Sequence, residues 1–146
     1  MPVKKLRPMS PGRRISSVQM FLDVTATSPH KALTMTQKRM AGRSYGKIAV
    51  RHRGGGAKRR TRLVDFQRVK FDVPANVAAI EYDPNRGARL ALLHYTDGSK
   101  AYMLSPEGLR VGDQVVSSRT RGDVRIGNRY PLEQLPTGIE VHDIEI

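Results

Sequence analysis

Polar and apolar positions fall into register only from Gly46 onward. Lys47-Ile48-Ala49-Val50-Arg51-His52 alternates, which predicts a half-exposed strand. Gly54-Gly55-Gly56 breaks it. Alternation resumes from Arg59 to Phe66, with Arg60, Arg62 and Val64 on one face and Thr61, Leu63 and Asp65 on the other. Ala75 to Tyr82, Arg89 to Thr96, Lys100 to Ser105 and Gln114 to Ser117 predict four more strands. Between them lie turns with a mechanism. In Asp83-Pro84-Asn85-Arg86-Gly87, Pro84 presets a negative dihedral, while Asn85 and Gly87 tolerate left-handed ones. Asp97-Gly98 is the favoured two-residue hairpin turn. Six short strands at this spacing, with little helical period between them, predict an all-β fold closed as a small antiparallel barrel. Closure removes the edges that an open sheet would leave exposed.

The flanks read differently. Residues 1–45 carry no sustained period, and Pro2, Pro8, Pro11, Gly12 and Pro29 interrupt any helix. An extended arm, ordered mainly by its partner, is predicted there. The barrel is assigned to 46–119. Residues 120–146 read as a Gly- and Pro-containing connector leading into a strand over Ile139 to Ile146, the first of a second domain that does not finish.

Charge changes this picture most. The 146 residues carry a formal net charge of +13, and it is unevenly placed. Met1 to Arg62 holds 16 Lys+Arg against the single acid Asp23, whereas Leu63 to Ile146 holds 10 against 12. A polycationic segment joined to a balanced body repels itself until a polyanion neutralises it. Nucleic acid is favoured over an anionic membrane, because Lys4 to Arg14 contains two prolines and no apolar face. Cysteine is absent, so disulfides, cysteine-ligated metals and a thiol nucleophile are excluded. No apolar run approaches the roughly 20 residues of a membrane span, and no signal-peptide segment follows the basic N-terminus. A soluble intracellular chain is expected.

The densest chemistry lies in Arg51-His52-Arg53-Gly54-Gly55-Gly56-Ala57-Lys58-Arg59-Arg60-Thr61-Arg62. Three glycines let a backbone approach another closely. The flanking guanidinium forks match phosphate oxygens and stack on bases. A loop of this kind fits a sugar–phosphate backbone, against the plainer alternative of a solvated hairpin tip. It is not a nucleotide-binding P-loop, since Arg59 rather than Ser or Thr follows Lys58. Pro11-Gly12-Arg13-Arg14 forms a second basic turn, and Arg86 and Arg89 stand near the tip of the 83–87 turn, within reach of a phosphate or of solvent. His30, His52, His94 and His142 have no ligand-like spacing, so no metal is expected. His52, between two arginines, suits a base or a phosphate; a packed or hydrogen-bonded role is the default for His94. Tyr82, Tyr95 and Tyr102 are either core packing or a stacking platform. No nucleophile elbow, zinc-binding helix or triad signature appears, so no catalytic residue and no cofactor are assigned.

The stretch around RHRGGGAKRRTRLVDF resembles the signature of the large-subunit ribosomal protein L2 family. Matches of the same kind are Pro11-Gly12-Arg13-Arg14, Ile80-Glu81-Tyr82-Asp83-Pro84-Asn85-Arg86, Ala91-Leu92-Leu93-His94-Tyr95 and Gly108-Leu109-Arg110-Val111-Gly112-Asp113. Gly127-Asn128, Pro131-Leu132 and Pro136-Thr137-Gly138 follow in the family's order. The opening and the HRGGG string are similar to the bacterial or organellar branch. The resemblance implies an extended arm, an OB-type barrel, the start of an SH3-like domain, and a structural role in the large ribosomal subunit near the peptidyl-transferase region. It implies large-subunit ribosomal RNA and neighbouring ribosomal proteins as partners, with no membrane, small-molecule substrate or obligate homo-oligomer. The implied location is the ribosome, cytoplasmic or organellar. The implied RNA contacts are Arg13, Arg14, Lys47, Arg51, His52, Arg53, Gly54, Gly55, Gly56, Lys58, Arg59, Arg60, Arg62, Arg68 and Arg86. Family chains are nearly twice as long, so most of the SH3-like barrel and the histidine-bearing tail are absent from this sequence. Ala57 stands where a histidine is common in the family.

Overall fold

The apolar run Leu90-Ala91-Leu92-Leu93 forms the middle of a strand buried on both faces, and the fold is built around it. The computed structural model describes residues 3–37, 41–120 and 122–145. In chain order the elements are β1 (Val3–Lys5), α1 (Pro11–Ile15), β2 (Ser17–Gln19), β3 (Thr34–Thr36), β4 (Arg43–Ser44), β5 (Lys47–Ile48), β6 (Arg60–Arg62), β7 (Ala75–Tyr82), β8 (Arg89–Tyr95), β9 (Lys100–Leu104) and β10 (Gln114–Val115). Single 3-10 turns lie at Lys31–Leu33 and Leu132–Gln134. The central sheet is antiparallel, with strand order β10-β7-β8-β9.

One face of this sheet packs Ala75, Val77, Ile80, Ala91, Leu93, Tyr95 and Met103 with Leu109 and Val115. Residues 75, 77 and 80 share that face because the β7–β8 register shifts between Val77 and Ala79. The extra residue, Ala78, resets the alternation, as a β-bulge does. On the other face, Leu90, Leu92 and Tyr102 pack with Leu33, Val64, Ala78, Ala79 and Leu104.

The sheet curls into a half-barrel of the OB type, and one segment joins its two edges. Val64 bridges Tyr102 on β9, and Phe71 bridges Ser117 just beyond β10, both in parallel sense. Asp65 N–H donates to the Tyr102 carbonyl at 2.8 Å and Asp72 N–H to the Ser117 carbonyl at 2.7 Å. The nearly all-β expectation is met, but closure rests on single parallel bridges rather than on a full antiparallel ladder.

Local readings need correction in several places. The strand expected over Lys47 to His52 ends at Ile48, because the N–H groups of Ala49 and Val50 both turn to the Gly42 carbonyl, at 2.8 and 2.9 Å. The β8–β9 connection is a three-residue loop, not a two-residue one. Tyr95 N–H donates to Ser99, and Gly98 takes the left-handed dihedral (φ 81°) that such a loop requires. In the 83–87 turn neither Asn85 nor Gly87 is left-handed. Buried Asp83 holds it instead, accepting Asn85 N–H at 2.9 Å and Arg86 N–H on its carbonyl at 3.3 Å. Residues 139–145 form no strand; Ile146 lies outside the described residues. Residues 116–120 and 122–130 fold back on the barrel instead. Ser118 and Arg129 exchange backbone bonds with their opposite segment, and Val116 N–H donates to Asn128 Oδ1 at 2.9 Å.

The arm is also less free than expected. Thr25 and Ile80 exchange bonds at 2.9 Å, Ala26 bridges Glu81, and His30 N–H donates to the Tyr102 hydroxyl at 2.8 Å. β3 pairs with β6, Thr34 facing Arg62 and Thr36 facing Arg60. Residues 23–36 therefore cover the second face of the sheet, which explains why β8 is apolar on both sides.

Candidate nucleic-acid interface

The basic loop is a folded module. β4 and β5 pair through Arg43–Ile48 and Ser44–Lys47, and the turn between them is Tyr45-Gly46, both left-handed (φ 49° and 75°). A second turn at Arg51-His52, with His52 at φ 61°, reverses the chain again. The glycine run follows, with φ of 95°, 71° and 80° at Gly54, Gly55 and Gly56. The reason for glycine is clearest at Gly54, where a Cβ would stand 2.9 Å from the Cβ of Ala41. Together these turns enclose an open recess of about 320 Å³, with Ala41, Ile48 and Val50 as apolar lining and Arg43, Arg51, His52 and Arg53 around it.

Cations dominate its electrostatics. Arg43, Lys47, Arg51, Arg53, Lys58, Arg59 and Arg60 are all exposed, and among the described residues none makes an ion pair with a carboxylate. No acid occurs in the sequence between Asp23 and Asp65. Such a surface attracts polyanions strongly and places N–H forks where phosphate oxygens can accept from them. Arg13 and Arg14 sit on α1, a single helical turn connecting the paired strands β1 and β2. Ser10 Oγ accepts Arg13 N–H there, and both guanidinium groups are exposed.

Three of the expected contacts are placed differently. Arg62 is buried (7 % exposed), 3.9 Å from Asp83, and donates to the Arg60 carbonyl at 3.0 Å. Arg86 pairs with the other Asp83 oxygen at 2.7 Å and lies over the Phe66 ring. Arg68, half-buried and left-handed (φ 44°), donates to the Gly127 carbonyl at 2.6 Å; burial lowers its pKa from the ordinary value. These side chains hold the turns behind the exposed cations. Arg89, read as a tip residue, is buried against the arm.

Of the tyrosines, Tyr95 and Tyr102 are core residues, and burial pushes the Tyr102 phenol up to about 12. Tyr82 remains part-exposed, stacked edge-on with Phe21 at 5.2 Å. His94, expected to be packed or hydrogen-bonded, is exposed on β8, and desolvation with Lys100 nearby lowers its pKa. Sequence reasoning missed Arg43 and Tyr45. The usable signal was Tyr-Gly, a left-handed turn carrying an aromatic ring, at the centre of an acid-free run. It also missed Arg119 and Arg129, which stand over the Phe71 ring at 4.3 and 5.6 Å.

Among the described residues no helix is long and apolar enough to cross a membrane. Residues 30–117 match the family model for Ribosomal Proteins L2, RNA binding N-terminal domain. That span holds the acid-free cationic module and the whole curled sheet. The chain belongs to the L2 family of ribosomal proteins, which bind RNA through this domain.

Proposed function

We propose that this chain is a non-catalytic constituent of the large ribosomal subunit that binds large-subunit ribosomal RNA and supports its assembly near the peptidyl-transferase region. The carrying observation is the set of exposed cations, unpaired with any carboxylate among the described residues, around an exposed glycine run that is left-handed at every position. Phosphates that RNA helices would otherwise press together are neutralised by Arg13, Arg14, Lys47, Arg51, Arg53, Lys58, Arg59 and Arg60, with His52 and the glycine backbone beside them. Arg62, Arg68 and Arg86 fix the register of that surface from behind. The barrel at 46–119 is the rigid unit, residues 1–45 the arm, and 120–146 the lead into an SH3-like domain. Neighbouring ribosomal proteins are the other partners, in the cytoplasm or an organelle, without obligate homo-oligomerisation. An off-ribosome single-strand binder would need Tyr82, Tyr95 and Tyr102 as a platform, and two of the three are buried.

The test is co-sedimentation with large ribosomal particles together with the salt dependence of RNA affinity. With about 6–10 phosphate contacts, affinity falls roughly 10³- to 10⁵-fold between about 50 and 200 mM salt. Arg53→Ala with Arg60→Ala weakens binding and flattens that slope without shifting the melting of the fold. A flat salt response in the wild type, or an unchanged dissociation constant in the double variant, sinks the reading.

A further inference from the structure

Four of the five tyrosines are engaged within the fold. Tyr82 meets Phe21, Tyr95 lies under Lys70, Tyr102 donates to Glu81 at 2.8 and 2.9 Å, and Tyr130 donates to the Asp123 carbonyl. Tyr45 is the exception. It is as exposed as a free tyrosine (102 %), and among the described residues its ring and hydroxyl make no contact of this kind. It is also held at φ 49°, at the first position of a turn where glycine, asparagine or aspartate sit at lower cost. The fold gains nothing visible from a ring at this point and bears a strained backbone to present it. Arg43 and Lys47 flank it on β4 and β5, and Ile48, also exposed, follows.

We propose that Tyr45 is a base-stacking contact, receiving one unpaired nucleotide of the bound RNA on its ring while the flanking cations hold the adjoining phosphates. The inference rests on the RNA-binding reading above and adds to it a preference for an unstacked base. A phosphate needs only the cations. An exposed aromatic ring among them adds what phosphates cannot use, a π-face that every base matches. Sequence-tolerant stacking of this kind discriminates single-stranded or bulged positions from paired ones, because a paired base already has both faces covered.

The experiment uses the full chain and two short RNA hairpins, one with a single bulged 2-aminopurine and one with the same base paired. The wild type binds the bulged RNA more tightly and quenches its fluorescence. Tyr45→Ala weakens binding to the bulged RNA roughly 10- to 100-fold and abolishes the quenching. Tyr45→Phe retains both, and the paired RNA responds to neither change. The salt slope stays as in the wild type, since no phosphate contact is lost. Tyr45→Asn, which suits the turn, keeps or raises the melting temperature while losing the quenching, a pairing that a structural tyrosine does not give. Equal losses on both RNAs, no loss on the bulged one, or loss of a protein partner instead overturns the proposal. Salt-independent binding of both RNAs by the wild type overturns the electrostatic reading, and so is told apart from failure of the stacking contact alone.

Discussion

Asp23 and Arg89, 66 residues apart, meet in an ion pair of 2.6 Å between Oδ2 and Nε. Asp23 is the only acid of the first 62 residues, and Arg89 opens the central strand. The guanidinium is 7 % exposed and lies 5.1 Å from the Phe21 ring centroid and 5.4 Å from that of Tyr82. One charge and one aromatic ring therefore pin an otherwise cationic arm to a sheet that carries a cation at the same point. The single acid is where the arm needs it.

Removing that acid should release the arm. Asp23→Ala leaves Arg89 buried without its carboxylate, although Asp23 itself is 44 % exposed and solvent screens the pair. The expected cost is about 1 kcal/mol, read as faster amide exchange at Thr25 and Ala26 with the sheet protected. The Arg89 hydrogen bond holds the Asp23 carboxyl below its ordinary value. This contribution is therefore present above the ordinary carboxylate pKa and is lost as pH falls through the folded-state one. Arm exchange that ignores both the substitution and acidification counts against the anchor.

A buried pair beneath the arm predicts the opposite sign. Glu81, 3 % exposed, accepts from the Tyr102 hydroxyl on both oxygens, and desolvation raises its pKa, the Tyr102 bond acting against the shift. A raised carboxyl stabilises the fold most below its unfolded value, and that contribution is lost as pH rises through the folded one. Denaturant unfolding of Glu81→Gln should therefore lose less stability than the wild type as pH rises from about 4 to 7. Tyr102→Phe removes the donor to Glu81 and the acceptor of His30 N–H, at a cost of about 1–3 kcal/mol. Parallel pH curves for wild type and Glu81→Gln contradict this assignment.

Gly54→Ala separates loop from barrel. Its Cβ would press within 2.9 Å of the Ala41 side chain, at a φ of 95° that alanine rarely adopts. Because Gly54 touches neither core cluster, the thermal transition should stay within about 2 °C, while RNA affinity falls several-fold as the cations lose their register. A lowered melting point with intact RNA binding reverses the claim that this glycine serves the interface.

Much was legible along the chain because it follows from local rules. Apolar runs bounded by turn residues placed β7, β8 and β9 almost to the residue, and an acid-free cationic run with three glycines marked the surface proposed for RNA. Short elements went wrong for a physical reason. At Ile48 a single carbonyl, that of Gly42, captures two N–H groups and ends the strand, and no periodicity carries that information. The Leu90-Ala91-Leu92-Leu93 run went unread: a strand apolar on both sides has both faces covered, here the second one by residues 23–36.

What covers it, and which cations remain free, was settled by distance in space. Asp83 draws Arg62 and Arg86 inward, Asp23 draws Arg89, and the Gly127 carbonyl draws Arg68. Composition counts all four as positive charge on a basic protein, since an arginine looks the same in sequence whether it faces a carboxylate or solvent. The sequence determines the total charge, its segregation and the strands. Only tertiary structure divides the guanidinium groups between those that fasten the fold and those left exposed, because burial and pairing depend on neighbours tens of residues away.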